Sequence, residues 1–305
     1  MKTTADESGE RAHHSLFSER LGQSTMSGRK SGGDASHNRQ DTPLIIALHG
    51  GTYSSAYFDV PGYSLLDRAS ALGLTVIAID RPGYGNTTPL APHDATIANN
   101  ARSLDAMIGE IWQRYASDHS GVFLIGHSIG GAITVSIAAR EPSWPLVGIA
   151  VSGVGLVTPE ESLRQWSALP DTAMIELPGH LKDQVMFGPD WTFANDMPAL
   201  SHTADAPVPR AELIDIVSTW HASVADIASK VRVPVHYRQG EFDRLWIADA
   251  DQVAGFRAVF TASPRVDAAL CVGAGHCIDF HRLGAAFQLE QLSFALRCAV
   301  QHASQ

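Results

Sequence analysis

From residue 43 onward, short apolar runs of strand length alternate with helix-length amphipathic stretches. That alternation constrains the chain to βαβ units, in which a mainly parallel sheet is covered by helices on both faces. The runs fall at 44–48, 75–79, 121–125, 146–151, 233–237 and 266–272. Helical spacing predicts helices over 63–72, closed by Gly73, over 97–115, over 130–140, ended by Pro142, and over 283–299. The expected core is therefore 43–156 together with 233–305.

Between 157 and 232 the alternation stops, and prolines, tryptophans and methionines accumulate without a strand pattern. A bare loop of that length is uncommon in a compact domain, so an inserted helical cap is expected, ending in a helix over 210–230. Residues 1–42 are rich in Ser, Gly, Asp, Arg and His with few side chains to bury. Ordering them costs more entropy than burial returns, which predicts a disordered arm.

The formal net charge of −10, with no Lys/Arg-rich run, excludes the electrostatic footprint of a nucleic-acid binder. Three cysteines without paired spacing fit neither a disulfide scaffold nor a zinc site, and no metal or cofactor is expected. No apolar stretch reaches the length of a membrane span, and no secretory leader is visible, so a cytoplasmic protein acting on a small molecule is the expectation.

Directly after the third run stands Gly126-His127-Ser128-Ile129-Gly130-Gly131, opening a helical stretch. The bare pattern G-x-S-x-G arises by chance in roughly one chain of this length in ten. Its position between strand and helix gives it weight, because such a turn projects Ser128 in a strained conformation that needs glycine neighbours. His49-Gly50-Gly51-Thr52 closes the first run. The backbone N–H of Gly51, with Thr52 as the alternative, is expected to join that of Ile129 in holding an oxyanion. After the last run, Gly273-Ala274-Gly275-His276 delivers an imidazole, with His281 the nearest competitor. After the preceding run, Gly240-Glu241-Phe242-Asp243 offers a carboxylate to orient it, Asp243 being preferred to Glu241. The expected catalytic set is Ser128, Asp243 and His276.

The motifs HGGTY at 49–53, DRPGYG at 80–85, GHSIGG at 126–131, GEFD at 240–243 and GAGH at 273–276 resemble the α/β-hydrolase superfamily, in its serine branch with a GHSxGG elbow. The resemblance spans about residues 43–300 and implies that fold, with Asp80 to Gly85 shaping a sheet edge without a catalytic role. The antiparallel strands that usually precede the HG motif are not legible in 1–42. Tyr53, Trp166, Trp191 and Trp246 are expected to line an apolar pocket between cap and core. The expected chemistry is hydrolysis of an ester or thioester of a small to medium apolar molecule through an acyl-enzyme. The alternatives are acyl transfer, a lyase or cofactor-free oxygenase reaction on the same triad, and a ligand-binding protein with little turnover.

Overall fold

The computed structural model describes residues 14–31 and 41–304. Along the chain run β1 (Ser15–Leu21), β2 (Ser24–Lys30), β3 (Leu44–Leu48), α1 (Leu65–Ala71), β4 (Thr75–Ile79), α2 (Ile97–Tyr115), β5 (Val122–His127), α3 (Ile129–Ala138) and β6 (Leu146–Ser152). An insertion follows, with α4 (Glu160–Ser167), β7 (Met174–Ile175), α5 (Gly179–Met186), α6 (Met197–Ser201), β8 (Val208–Pro209), α7 (Arg210–Val217) and α8 (Thr219–Ala228). The chain then completes the sheet with β9 (Val235–Gly240), α9 (Ala250–Ala258), β10 (Val266–Cys271) and α10 (Gly284–Ala303).

The main sheet has the order β1-β2-β4-β3-β5-β6-β9-β10, parallel from β4 to β10. Period-two burial builds it. Leu44, Ile46 and Leu48 of β3 join a core on one face with α2, α3 and α8, whereas Ile45 and Ala47 join the other with α1 and α10. Thr96 caps α2 by accepting the Asn99 N–H, and Ile97, Ala101, Leu104, Ile108 and Ile111 bury one stripe of it. Every residue of α3 is buried, so this helix is enclosed on all sides behind the turn that starts it.

Two expectations need correction. Residues 15–30, placed in a disordered arm, form the antiparallel hairpin β1–β2, and β2 pairs antiparallel with β4. The remainder of that arm, 1–13 and 32–40, lies outside the described residues. The hairpin escapes a hydrophobic scan because polar groups anchor it. Met26 and Leu21 are buried, but Ser27 Oγ donates to Asp80 Oδ2 (2.7 Å) and Thr87 Oγ1 accepts the Ser27 N–H (3.0 Å). The helix expected over 210–230 is two, broken at Ser218, where the backbone departs from helical geometry (φ −116°, ψ −79°). No helix among the described residues is long and apolar enough to cross a membrane.

Candidate active site

Ser128 stands between β5 and α3, as the N-cap of α3, with φ 55° and ψ −123°, a strained conformation for a residue with a side chain. The turn closes only because strand and helix touch. A Cβ on Gly130 would lie 2.2 Å from the Leu48 carbonyl oxygen and 2.4 Å from that of His49. The Ser128 N–H donates to the Ser152 carbonyl at 2.8 Å, tying the turn to β6. Ile129 begins α3, so its N–H belongs to the first helical turn, which has no intrahelical acceptor.

His276 lies on the loop after β10, almost wholly buried. Its Nδ1 donates to Asp243 Oδ2 at 2.7 Å, which leaves the lone pair on Nε2, and that nitrogen is buried without a hydrogen-bond partner. Asp243 is fully engaged. Its Oδ2 also accepts from Gln239 Nε2 (2.6 Å), and its Oδ1 accepts the N–H groups of Leu245 (2.8 Å) and Trp246 (3.2 Å). The His276 ring stands 4.9 Å, centroid to centroid, from that of His127, the residue before Ser128. A Cβ on Gly153 would lie 2.8 Å from the first ring's neighbour, His127 Cε1, and 3.1 Å from His276 Cε1, so the backbone at the end of β6 wedges against both imidazoles.

The competitors take structural parts. His281 Nδ1 bonds the Cys277 carbonyl (2.8 Å), and its Nε2 accepts the N–H of Gly275 (2.9 Å) and of Gly188 (3.2 Å). Two accepted N–H groups require a neutral ring, and burial, the largest cause, pushes its pKa down to about 4. Glu241 accepts the Gly273 N–H at 2.9 Å and so joins the loop after β9 to the loop after β10. Burial raises the neighbouring Cys277 thiol to about 12, far from a reactive thiolate.

The turn at 49–52 is fixed through its carbonyls. Arg81, without exposed surface, donates from Nε to His49 O (2.9 Å) and from Nη2 to Gly50 O (3.2 Å). The same guanidinium makes a bidentate pair with Glu212 of α7 (2.7 and 2.9 Å), whose carboxylate also accepts from Tyr84 and Asn100. His49 donates from Nδ1 to Gly50 O (2.8 Å) and accepts the Arg81 N–H on Nε2 (3.2 Å). That pattern matches a neutral ring, which burial and the adjacent Arg81 charge enforce by holding its pKa well below the ordinary value. On the far side of the turn, buried Lys182 of α5 donates to Thr52 O (3.0 Å), pairs with Asp205 and lies over the Tyr53 ring.

Gly51, Thr52, Ser128 and Ile129 line a cavity of about 40 Å³. The insertion closes it with Trp166, Leu177, Met186 and three side chains of α7, Leu213, Ile216 and Val217. Thr158, Leu245 and Trp246 complete the wall.

A sequence model described as "Alpha/beta hydrolase family" matches residues 45–286, most of the chain. The chain belongs to the alpha/beta hydrolase family. This alpha/beta hydrolase is 28% identical over 112 residues to protein phosphatase methylesterase 1 of Pongo abelii, a match covering 37% of the chain and 28% of that relative. The chain thus spans less than a third of the length of the curated relatives it matches. Among solved structures it superposes on E-2-(acetamidomethylene)succinate hydrolase with a TM-score of 0.68 and 18% identity, covering 93% of this chain and 100% of that one. A thermophilic esterase from Thermogutta terrifontis superposes with a TM-score of 0.66 and 13% identity, covering 94% and 100%. At these identities the structures speak for the fold alone.

Of the residues expected in this alpha/beta hydrolase's site, Asp243 and His276 are in direct contact, and Gly51 and Ile129 share the cavity with Ser128; the His127 ring, one residue before Ser128, lies against His276, but no hydrogen bond joins Ser128 to His276 Nε2. Trp166 and Trp246 line the cavity, but Tyr53 and Trp191 do not. Tyr53 is packed beneath the turn, under Lys182 and against Tyr57 and Phe280. Trp191 is 63% exposed and stacks edge-on against Phe242 on the outer surface. Gln239, Arg81, Glu212 and Thr158 were not anticipated. Gln239 stands four residues before Asp243, a spacing that brings both to one strand end, but Glu212 contacts Arg81 across 131 residues and leaves no local signal.

Proposed function

We propose that the chain is a serine hydrolase that cleaves an ester of a small apolar molecule through an acyl-enzyme. The observation that carries this reading is His276, tied by Nδ1 to a saturated Asp243 carboxylate and left with a buried, unpartnered Nε2 beside the strained Ser128 turn. In this reading Nε2 takes the proton from Ser128 Oγ as the oxygen attacks the ester carbonyl. The N–H groups of Gly51 and Ile129 receive the developing oxyanion, a contribution of about 3 kcal/mol per donor. His276 then returns the proton to the leaving alcohol and activates water to release the acid. Asp243 holds the ring in the required tautomer and stabilises its charged form.

Ester cleavage is also the activity that the name of the methylesterase relative denotes, over a match to 37% of this chain. The apolar cavity wall favours an uncharged substrate, and the α4–α8 insertion acts as the cap that excludes water from it. A fluorophosphonate probe should label the wild-type chain, and Ser128→Ala should abolish both labelling and turnover of p-nitrophenyl acetate. Undiminished labelling of that variant would refute the assignment.

A further inference from the structure

Two hydroxyls at the cavity are out of balance with their surroundings. Thr52 Oγ1 and Thr158 Oγ1 are both buried, and neither has a hydrogen-bond partner. Most buried hydroxyls in folded proteins are satisfied, because a donor sealed from water without an acceptor loses the full strength of its hydration. Thr52 carries a second cost, since its φ of 65° places a β-branched residue in the left-handed region. Glycine at position 52 would remove both costs. Strain of this kind persists where surrounding structure enforces it, and here the Thr52 carbonyl is clamped by Lys182 Nζ and the Ala206 N–H, each at 3.0 Å.

Apart from Ser128, the remaining side chains of the cavity wall are largely apolar, and none is charged. Beyond the Gly51 and Ile129 N–H groups reserved for the oxyanion, a carboxylate or ammonium group entering it would meet no charged partner to offset its desolvation. A neutral ether, carbonyl or hydroxyl oxygen would satisfy the two threonine hydroxyls. The size is also bounded. The cavity is small, about 40 Å³, which suits a short acyl chain rather than a long one.

The orientation of the ester follows from which residues reach the cavity. Ser128 lines it and His276 does not. The leaving alcohol must sit by the imidazole that protonates it, so the cavity receives the other half of the ester, the acyl group.

Resting on the serine-hydrolase reading above, we propose that this pocket selects a short, uncharged acyl group bearing one hydrogen-bonding oxygen, which the Thr52 and Thr158 hydroxyls receive. Sites built to pair a polar atom discriminate against analogues that lack it, because the protein's own group is then left unpaired.

The test uses p-nitrophenyl butyrate, methoxyacetate and octanoate, which share a leaving group. Butyryl and methoxyacetyl differ only by oxygen for methylene. For each enzyme the ratio of kcat/KM, methoxyacetate over butyrate, is compared with the wild-type ratio, so intrinsic ester reactivity cancels. Thr52→Val, which keeps the shape and the strain, should lower that ratio about tenfold. Thr158→Val should act in the same direction, and Thr52→Ser, which keeps the hydroxyl, should retain the wild-type ratio. Octanoate should be turned over at least tenfold less well than butyrate. Unchanged ratios in both valine variants, or a preference for octanoate, would overturn the proposal while leaving Ser128-dependent hydrolysis of butyrate intact. If the wild type cleaves none of the three esters in a Ser128-dependent way, the hydrolase reading falls, and this proposal with it.

Discussion

Replacing Glu212 by glutamine keeps its shape and removes its charge, which puts an amide donor opposite the buried Arg81 guanidinium. Both side chains are fully buried, and the pair is bidentate at 2.7 and 2.9 Å. Burial is the largest single influence on the Arg81 guanidinium and opposes its charge, but Glu212 and Tyr84 together more than offset it, and its pKa lies above the ordinary value. Breaking such a pair from one side costs about 3–5 kcal/mol, because an uncompensated charge stays buried. At about 2–4 °C per kcal/mol for domains of this general size, the melting temperature should fall by on the order of 10 °C. Urea denaturation gives the free energy directly. The double variant Arg81→Met, Glu212→Leu removes both charges and should recover most of the loss, as double-variant cycles at contacting residues do. Ester hydrolysis should not recover with it, since Arg81 also holds the His49 and Gly50 carbonyls at 2.9 and 3.2 Å. A Glu212→Gln variant within about 0.5 kcal/mol of wild type would refute this account of the pair.

Three further outcomes follow from the same geometry. Asp243→Asn should leave the fold intact and lower kcat by roughly 10³–10⁴, since an amide facing Nδ1 favours the wrong tautomer; pre-steady-state kinetics on p-nitrophenyl acetate would report it. Gly130→Ala should fail to accumulate as folded protein by circular dichroism, because its Cβ would overlap the Leu48 and His49 carbonyl oxygens at the end of β3. His236 is buried with neither ring nitrogen hydrogen-bonded, its nearest carboxylate oxygen being Glu290 Oε2 at 3.7 Å, and burial pushes its pKa down from 6.5 to about 3. Between those values the unfolded chain binds a proton that the folded chain refuses, so this contribution to stability is whole above about pH 6.5 and is lost as pH falls towards 3. His236→Leu should flatten that loss in denaturation midpoints taken from pH 7 to pH 4.

The parts legible in the sequence were those written in local pattern. The runs 44–48 and 75–79 are continuous apolar segments, and β3 and β4 occupy those positions. The Ser128 turn was legible because glycine spacing and strand-helix context coincide within six residues. What escaped was held by contacts distant in sequence or polar in kind. The strand STMSGRK offers no period-two apolar signal, yet Ser27 fastens it to Asp80 across 53 residues. Tyr53 and Trp191 were assigned to the pocket from residue type and neighbourhood alone. Whether an aromatic faces a cavity depends on how the insertion packs, and there Lys182 claims the face of Tyr53 while Trp191 turns outward onto Phe242.

The claim on which the rest depends is that Ser128 becomes covalently acylated. Rapid acid quench of the wild-type protein during turnover of p-nitrophenyl acetate, followed by proteolysis and peptide mass spectrometry, measures this directly. The account predicts a single acetyl adduct on Ser128, absent from Ser128→Ala and strongly reduced in His276→Ala. Turnover at an undiminished rate in Ser128→Ala, or an adduct on a different residue, would contradict it.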